Sequence, residues 1–157
     1  MKILLPVDCT NTSIYEAKKA AEIARTYNCP IKFIGFIDDR ELREYKRYIR
    51  LWRQTDGSIL KQNIGLMTGK SASAKLWSKA FFMIHEIISE MDCSGCQIES
   101  EVLVGKSSDS IFNMAKSDNA GLIIMSDVFL RHFFSGAFTG IAISEAPCPV
   151  LVVNSDM

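Results

Sequence analysis

Two histidines in 157 residues, no excess of either charge and no long apolar run are what this sequence conspicuously lacks. With so few imidazoles and no matched nucleophile, a hydrolytic triad has little support. Eighteen Lys plus Arg balance eighteen Asp plus Glu, so the overall basic charge of a protein that coats nucleic acid or anionic lipid is missing, and any such role needs a local patch. No apolar stretch approaches the roughly 18 residues of a membrane span. Five cysteines, an odd number without a dense repeat, argue for reduced thiols over a disulfide framework. The opening Met1-Lys2-Ile3-Leu4-Leu5-Pro6-Val7-Asp8 lacks the pattern of a signal peptide, and a cytoplasmic setting is the expectation.

What is present is a globular composition, 48% hydrophobic and 23% charged, in a chain the length of one domain. Ile3 to Val7 is a continuous apolar run of the kind that suits a parallel strand covered on both faces. Ser13-Ile14-Tyr15-Glu16 has capping-box spacing, and Ile14, Ala17, Ala20, Ala21, Ala24 and Tyr27 follow at helical intervals to about Asn28. Ile31 to Ile37 resumes a strand after Pro30, which completes a βαβ unit. Leu76, Trp77, Ala80, Phe81, Ile84, Ile87, Ile88 and Met91 form one helical stripe. Gln97 to Leu103 alternates as a strand, Ser107 or Ser108 caps a helix carrying Ile111, Phe112, Met114 and Ala115, and Leu122 to Met125 is a further buried strand. Ala137 to Glu145 fits a short helix and Pro149 to Val153 a last strand. Five strands alternating with helices predict a doubly wound α/β layer with right-handed crossovers. Gln54 to Ser73, with three glycines and several serines, reads as an insertion or mobile loop inside a single domain spanning 1–157, in which about 40–73 is inserted.

Pro6-Val7-Asp8 at the end of the first strand, Val104-Gly105-Lys106, Gly121-Leu122-Ile123-Ile124-Met125 and the closing Cys148-Pro149-Val150-Leu151-Val152-Val153 stand in an order and spacing that resemble the universal stress protein family. The resemblance covers both ends and most of the back half; 40–73 has no match. It implies an adenine nucleotide alpha hydrolase-like fold, a five-stranded parallel sheet ordered 3-2-1-4-5 with helices on both faces. Strands one and four are then neighbours whose connections leave on opposite faces, and a crevice lies outside their carboxyl ends. Asp8 and the Met125-Ser126-Asp127 turn border it.

Family members that bind ATP carry G-x2-G-x9-G-[ST] after the fourth strand, because glycine lets the backbone approach phosphate and a helix N-terminus offers unpaired amides. Here Gly136 matches the final glycine, Ala137 replaces the hydroxyl residue, and Ser126 and Phe129 stand in place of the first two glycines. Ser126 to Gly136 spans ten positions, three fewer than the pattern. By the same resemblance Asp8 meets the adenine side, and Thr139 keeps a hydroxyl near the expected helix start. Pro6, Asp8, Ile37, Met125, Ser126, Asp127, Gly136, Ala137, Phe138 and Thr139 are the candidate nucleotide contacts. Asp8 and Asp127 together disfavour a polyphosphate unless Mg²⁺ or Arg131 offsets them.

Other constellations are weaker. Gly69-Lys70-Ser71 looks like the tail of a P-loop, but Ile64 occupies the required earlier glycine position and flexible loop is the plainer reading. Cys93-Ser94-Gly95-Cys96 is a single C-x2-C pair that follows a helix, which gives redox or zinc work a small weight. His85 is read as structural, and His132, beside Arg131, as a solvated loop residue. In Arg40 to Arg53, Leu42, Tyr45, Ile49 and Trp52 would share one helical side with Arg40, Arg43, Lys46, Arg47, Arg50 and Arg53 on the next arc. Six positive and two negative charges leave +4 there, and a solvated amphipathic helix outweighs a docking surface for an acidic protein, RNA or lipid.

The expectation is therefore a small cytoplasmic regulator similar to the universal stress proteins, acting by binding and not by turnover, with weak or no ATP binding and no catalytic or metal residue assigned. A nucleotide-binding stress protein with slow ATPase activity stands second. Docking of an acidic partner through Arg40, Arg43, Arg47 and Arg50 stands third, with nucleic acid and membrane disfavoured by the balanced charge. The resemblance also implies a homodimer through the last strand, where Val150 and Val152 would lie at the interface; an apolar terminal strand left unpaired invites aggregation.

Overall fold

The computed structural model describes residues 1–7, 14–37, 69–104, 108–133 and 143–154. In chain order these form β1 (Lys2–Pro6), α1 (Ile14–Tyr27), β2 (Ile31–Ile37), α2 (Gly69–Glu90), β3 (Ile98–Val104), α3 (Ser108–Ser117), β4 (Ala120–Ser126), α4 (Asp127–Phe133) and β5 (Val150–Val153). The strands make one parallel sheet ordered β3-β2-β1-β4-β5, the doubly wound arrangement expected from the sequence.

Helices cover both faces. On one, α1 presents Ala17, Ala20, Ala21 and Ala24, small enough to bring the helix close to Ile3, Leu5, Ile31 and Phe33. Beside it α2 lays Ala80, Ile84, Ile87 and Met91 over β2 and β3. Gly35 permits that approach, since a Cβ there would stand 3.1 Å from Ile84 Cδ1 and 3.6 Å from Ala80 Cβ. On the opposite face, Ile111, Phe112, Met114 and Ala115 of α3 and Phe129 of α4 pack against Leu4, Ile34, Phe36, Ile123 and Met125. Strands buried on both sides are what made the apolar runs legible.

Helix ends follow their local chemistry. Asn28 takes φ 50° after α1, and the Cys29 N–H donates to Ala24 O at 3.0 Å, a left-handed stop that asparagine tolerates better than most residues. Asn119, at φ 51°, follows α3.

Two expectations are corrected. The loop read through Ser73 stops earlier, because α2 begins at Gly69, and Gly69-Lys70-Ser71 is therefore helical backbone and no phosphate loop. Once Leu76 to Met91 is held on the sheet, extending the helix backward over Lys70, Ala72, Ala74 and Lys75 adds one hydrogen bond per residue without new nucleation. The stretch after β4, read as a turn and shortened loop, is helix α4. Of the helix expected over Ala137 to Glu145, residues 143 and 144 are helical, and 137–142 lie outside the described residues.

Candidate functional site

The site begins with a proline. Ile3 and Val7 both donate their N–H groups toward β2, to Pro30 O at 2.9 Å and Ile34 O at 2.8 Å, so the alternate positions, Pro6 included, face β4. Pro6 has no N–H to give. The β1–β4 ladder accordingly stops at Leu4 opposite Ile123, while β4 continues to Ser126 paired with β5 alone. The two central strands part over their last residues, and their chains leave for opposite faces, β1 toward α1 and β4 toward α4. That parting lies where the fold places the expected crevice.

The strand ends beside it are apolar and buried. Pro6 and Ile37 end β1 and β2, both buried, and Met125 is buried beside them at the end of β4. Ser126, 2% exposed, accepts the Phe129 N–H on its Oγ at 3.0 Å and so caps α4. Phe129, 3% exposed, turns its ring into the core against Phe36, centroid to centroid 6.0 Å. Asp127 begins the helix, where a carboxylate suits the positive end of the dipole, and pairs with Arg131 at 3.0 Å on the exposed side. On the other side of the parting, Glu16 lies in the first turn of α1 at 1% exposure, a buried carboxylate at the carboxyl end of the sheet.

Solved structures share this architecture. A universal stress protein in complex with cAMP matches with a TM-score of 0.53 at 14% identity, over 99% of this chain and 97% of its own. The universal stress protein from Archaeoglobus fulgidus in complex with dAMP matches at 0.52 and 21% identity, over 97% and 96%. A protein of the same family from Burkholderia pseudomallei matches at 0.59 and 13%, over 97% and 94%. No protein-family model matches the sequence, and no curated protein does.

The fold is that of the universal stress proteins.

The described part of this junction departs from the glycine pattern of ATP-binding universal stress proteins at both of its first two glycine positions. Strand passes directly into helix with no glycine between, the residue in place of the first glycine holds the amide of the residue in place of the second, and that second residue is a core aromatic. An open main-chain cradle requires the reverse, free N–H groups and no side chain in the way.

Of the candidate contacts, the structure brings Pro6, Met125, Ser126 and Asp127 together around the parting, with Ile37 one strand away on β2. Asp8, Gly136, Ala137, Phe138 and Thr139 lie outside the described residues, as do Arg40, Arg43, Arg47 and Arg50. Val150 and Val152 lie on β5, an edge strand, with Val152 37% exposed. Among the described residues no cluster of three or more His, Cys, Asp or Glu is placed to hold a metal ion, and no helix is long and apolar enough to cross a membrane.

Two residues escaped the sequence reading. Phe129 stands at a glycine position of the loop pattern, but Ser126 three residues before it, Asp127 in the first turn and Phe129, Leu130 and Phe133 at helical spacing are an N-terminal helix signature. Glu16 serves in the sequence reading only as the far member of a capping box, although its place one residue before Ala17 and four before Ala20 puts it on the packed side of α1.

Proposed function

We propose that this protein is a regulator of the universal stress protein type that works by occupancy of the crevice, and that the crevice takes an adenine nucleoside or monophosphate in preference to ATP. The observation that carries this reading is the capping of α4 by Ser126, which uses an amide where a triphosphate would need one free. Structural neighbours with cAMP and dAMP bound support the choice of an adenine ligand with a single phosphate.

Calorimetric titration of the full chain with AMP and with ATP, each with and without Mg²⁺, separates the alternatives. AMP is expected to bind at least as tightly as ATP, with ATP no tighter than roughly millimolar. Micromolar ATP affinity exceeding that of AMP would defeat the reading and restore the nucleotide-hydrolysing alternative, which release of phosphate from ATP would then test.

Assembly belongs to the same proposal. Among the described residues β5 hydrogen-bonds to β4 on one side only, and a second copy adding its own Val150 to Val153 would shield that edge. Sedimentation is expected to give a dimer at micromolar concentration, and Val152→Lys, which sets like charges across the joined edge, a monomer. A wild-type monomer under those conditions would refute the assembly.

A further inference from the structure

The turn between α2 and β3 carries two thiols at the two ends of one hydrogen-bonded four-residue turn. The Cys96 N–H donates to Cys93 O at 2.9 Å, and Gly95, third residue of the four, has φ 75°. A hydrogen-bonded turn with positive φ at its third residue is of type II, a conformation that glycine supplies at no steric cost. The Cα atoms at the ends of a β-turn lie within about 7 Å, the span over which cysteines can be bridged.

The turn is also fixed from outside. Asp92 accepts both the N–H and the hydroxyl of Ser94, which holds its carboxyl below the ordinary value. Arg25 of α1 donates to Asp92 O at 2.7 Å. Cys93 donates its S–H to Ile88 O at 3.5 Å and Met91 O at 3.7 Å, and Cys96 to Ala21 O at 3.8 Å, weak bonds whose loss costs little. Both cysteines are free thiols and partly exposed.

We infer that Cys93 and Cys96 form a reversible intramolecular disulfide, a redox modification site at the amino end of the sheet, opposite the crevice and independent of what binds there. The oxidant is a low-molecular-weight disulfide such as oxidised glutathione. One cysteine thiolate attacks a glutathione sulfur, which breaks that S–S bond and releases one reduced glutathione. The other thiol, deprotonated, attacks the cysteine sulfur of the mixed disulfide and releases the second. Two thiols lose two electrons and two protons, and one glutathione disulfide becomes two thiols. Burial, followed by the neighbouring Cys96 and the Asp92 charge, pushes the Cys93 thiol above its ordinary value, which slows its reaction in either direction near neutral pH.

Incubating the folded full chain with oxidised glutathione, then digesting with trypsin, isolates both cysteines on the single peptide Ala80 to Lys106. The expected product is that peptide lighter by two hydrogens, carrying no glutathione and restored by dithiothreitol. Gly95→Ala, forced into a left-handed conformation, is expected to slow closure about tenfold. Peptide that stays fully alkylatable, peptide that accumulates glutathione on separate cysteines, or a Gly95→Ala rate equal to that of the parent would each overturn the inference.

Discussion

Phe129→Ala is expected to remove about 3–5 kcal/mol of folding stability, the range for truncating a core phenylalanine, measured as a lower urea midpoint at unchanged slope. The ring packs against Phe36 in the core cluster that also holds Met125 and Ile123, and its removal leaves a cavity in that cluster. The seven-residue α4 is too short to persist by its own propensity, so it depends on this anchor. Ser126→Ala, which removes only the cap, is expected to cost about 1 kcal/mol. A loss below about 1 kcal/mol for Phe129→Ala would mean that α4 is not docked as described and that its first amides are free to meet a phosphate.

The contrast between these two substitutions shows where the sequence was readable. Strands Ile31–Ile37 and Ala120–Ser126 were legible because burial on both faces demands apolar residues at nearly every position. The strand order came from resemblance, since nothing local in Lys2 to Pro6 states which strand lies beside it. The junction after β4 was misread because it was compared with a loop pattern, and mismatches to glycine looked like decay when they were the start of another structure. Ser126 fits the first glycine position poorly and a helix cap well. Pro6 reads along the sequence as one more member of an apolar run, yet its missing N–H faces the one neighbour from which the strand separates. In each case the meaning of a residue depended on which strand it faced, a tertiary fact that spacing along the chain does not encode.

Lys32 is the other such residue, a cation inside an apolar strand at 9% exposure, and Lys32→Met is expected to cost about 1–3 kcal/mol at neutral pH. Its Nζ reaches Glu101 at 2.6 Å on β3 and Asp118 at 2.7 Å beyond α3, and Lys2 extends the network to Glu99 at 2.8 Å and Asp118 at 3.9 Å. The lower end of the buried range applies because Glu101 is 42% exposed and water screens it, and because Lys2 remains beside Asp118 after the substitution. Burial works against the Lys32 charge, but the hydrogen bonds and negative charges of Asp118 and Glu101 outweigh it and hold the group above its ordinary 10.5. A folded-state value raised in this way gives stability that is whole below about pH 10.5 and is lost as pH climbs through the higher folded value. The deficit of Lys32→Met relative to the parent should therefore be constant across neutral pH and shrink in strong alkali. Pairing Lys32→Met with Asp118→Leu should recover part of the loss, since the second change removes a carboxylate left without its main partner. Equal urea midpoints for Lys32→Met and the parent at neutral pH would show that the network is ornamental to stability, and that β2 tolerates its one cation for reasons outside the fold.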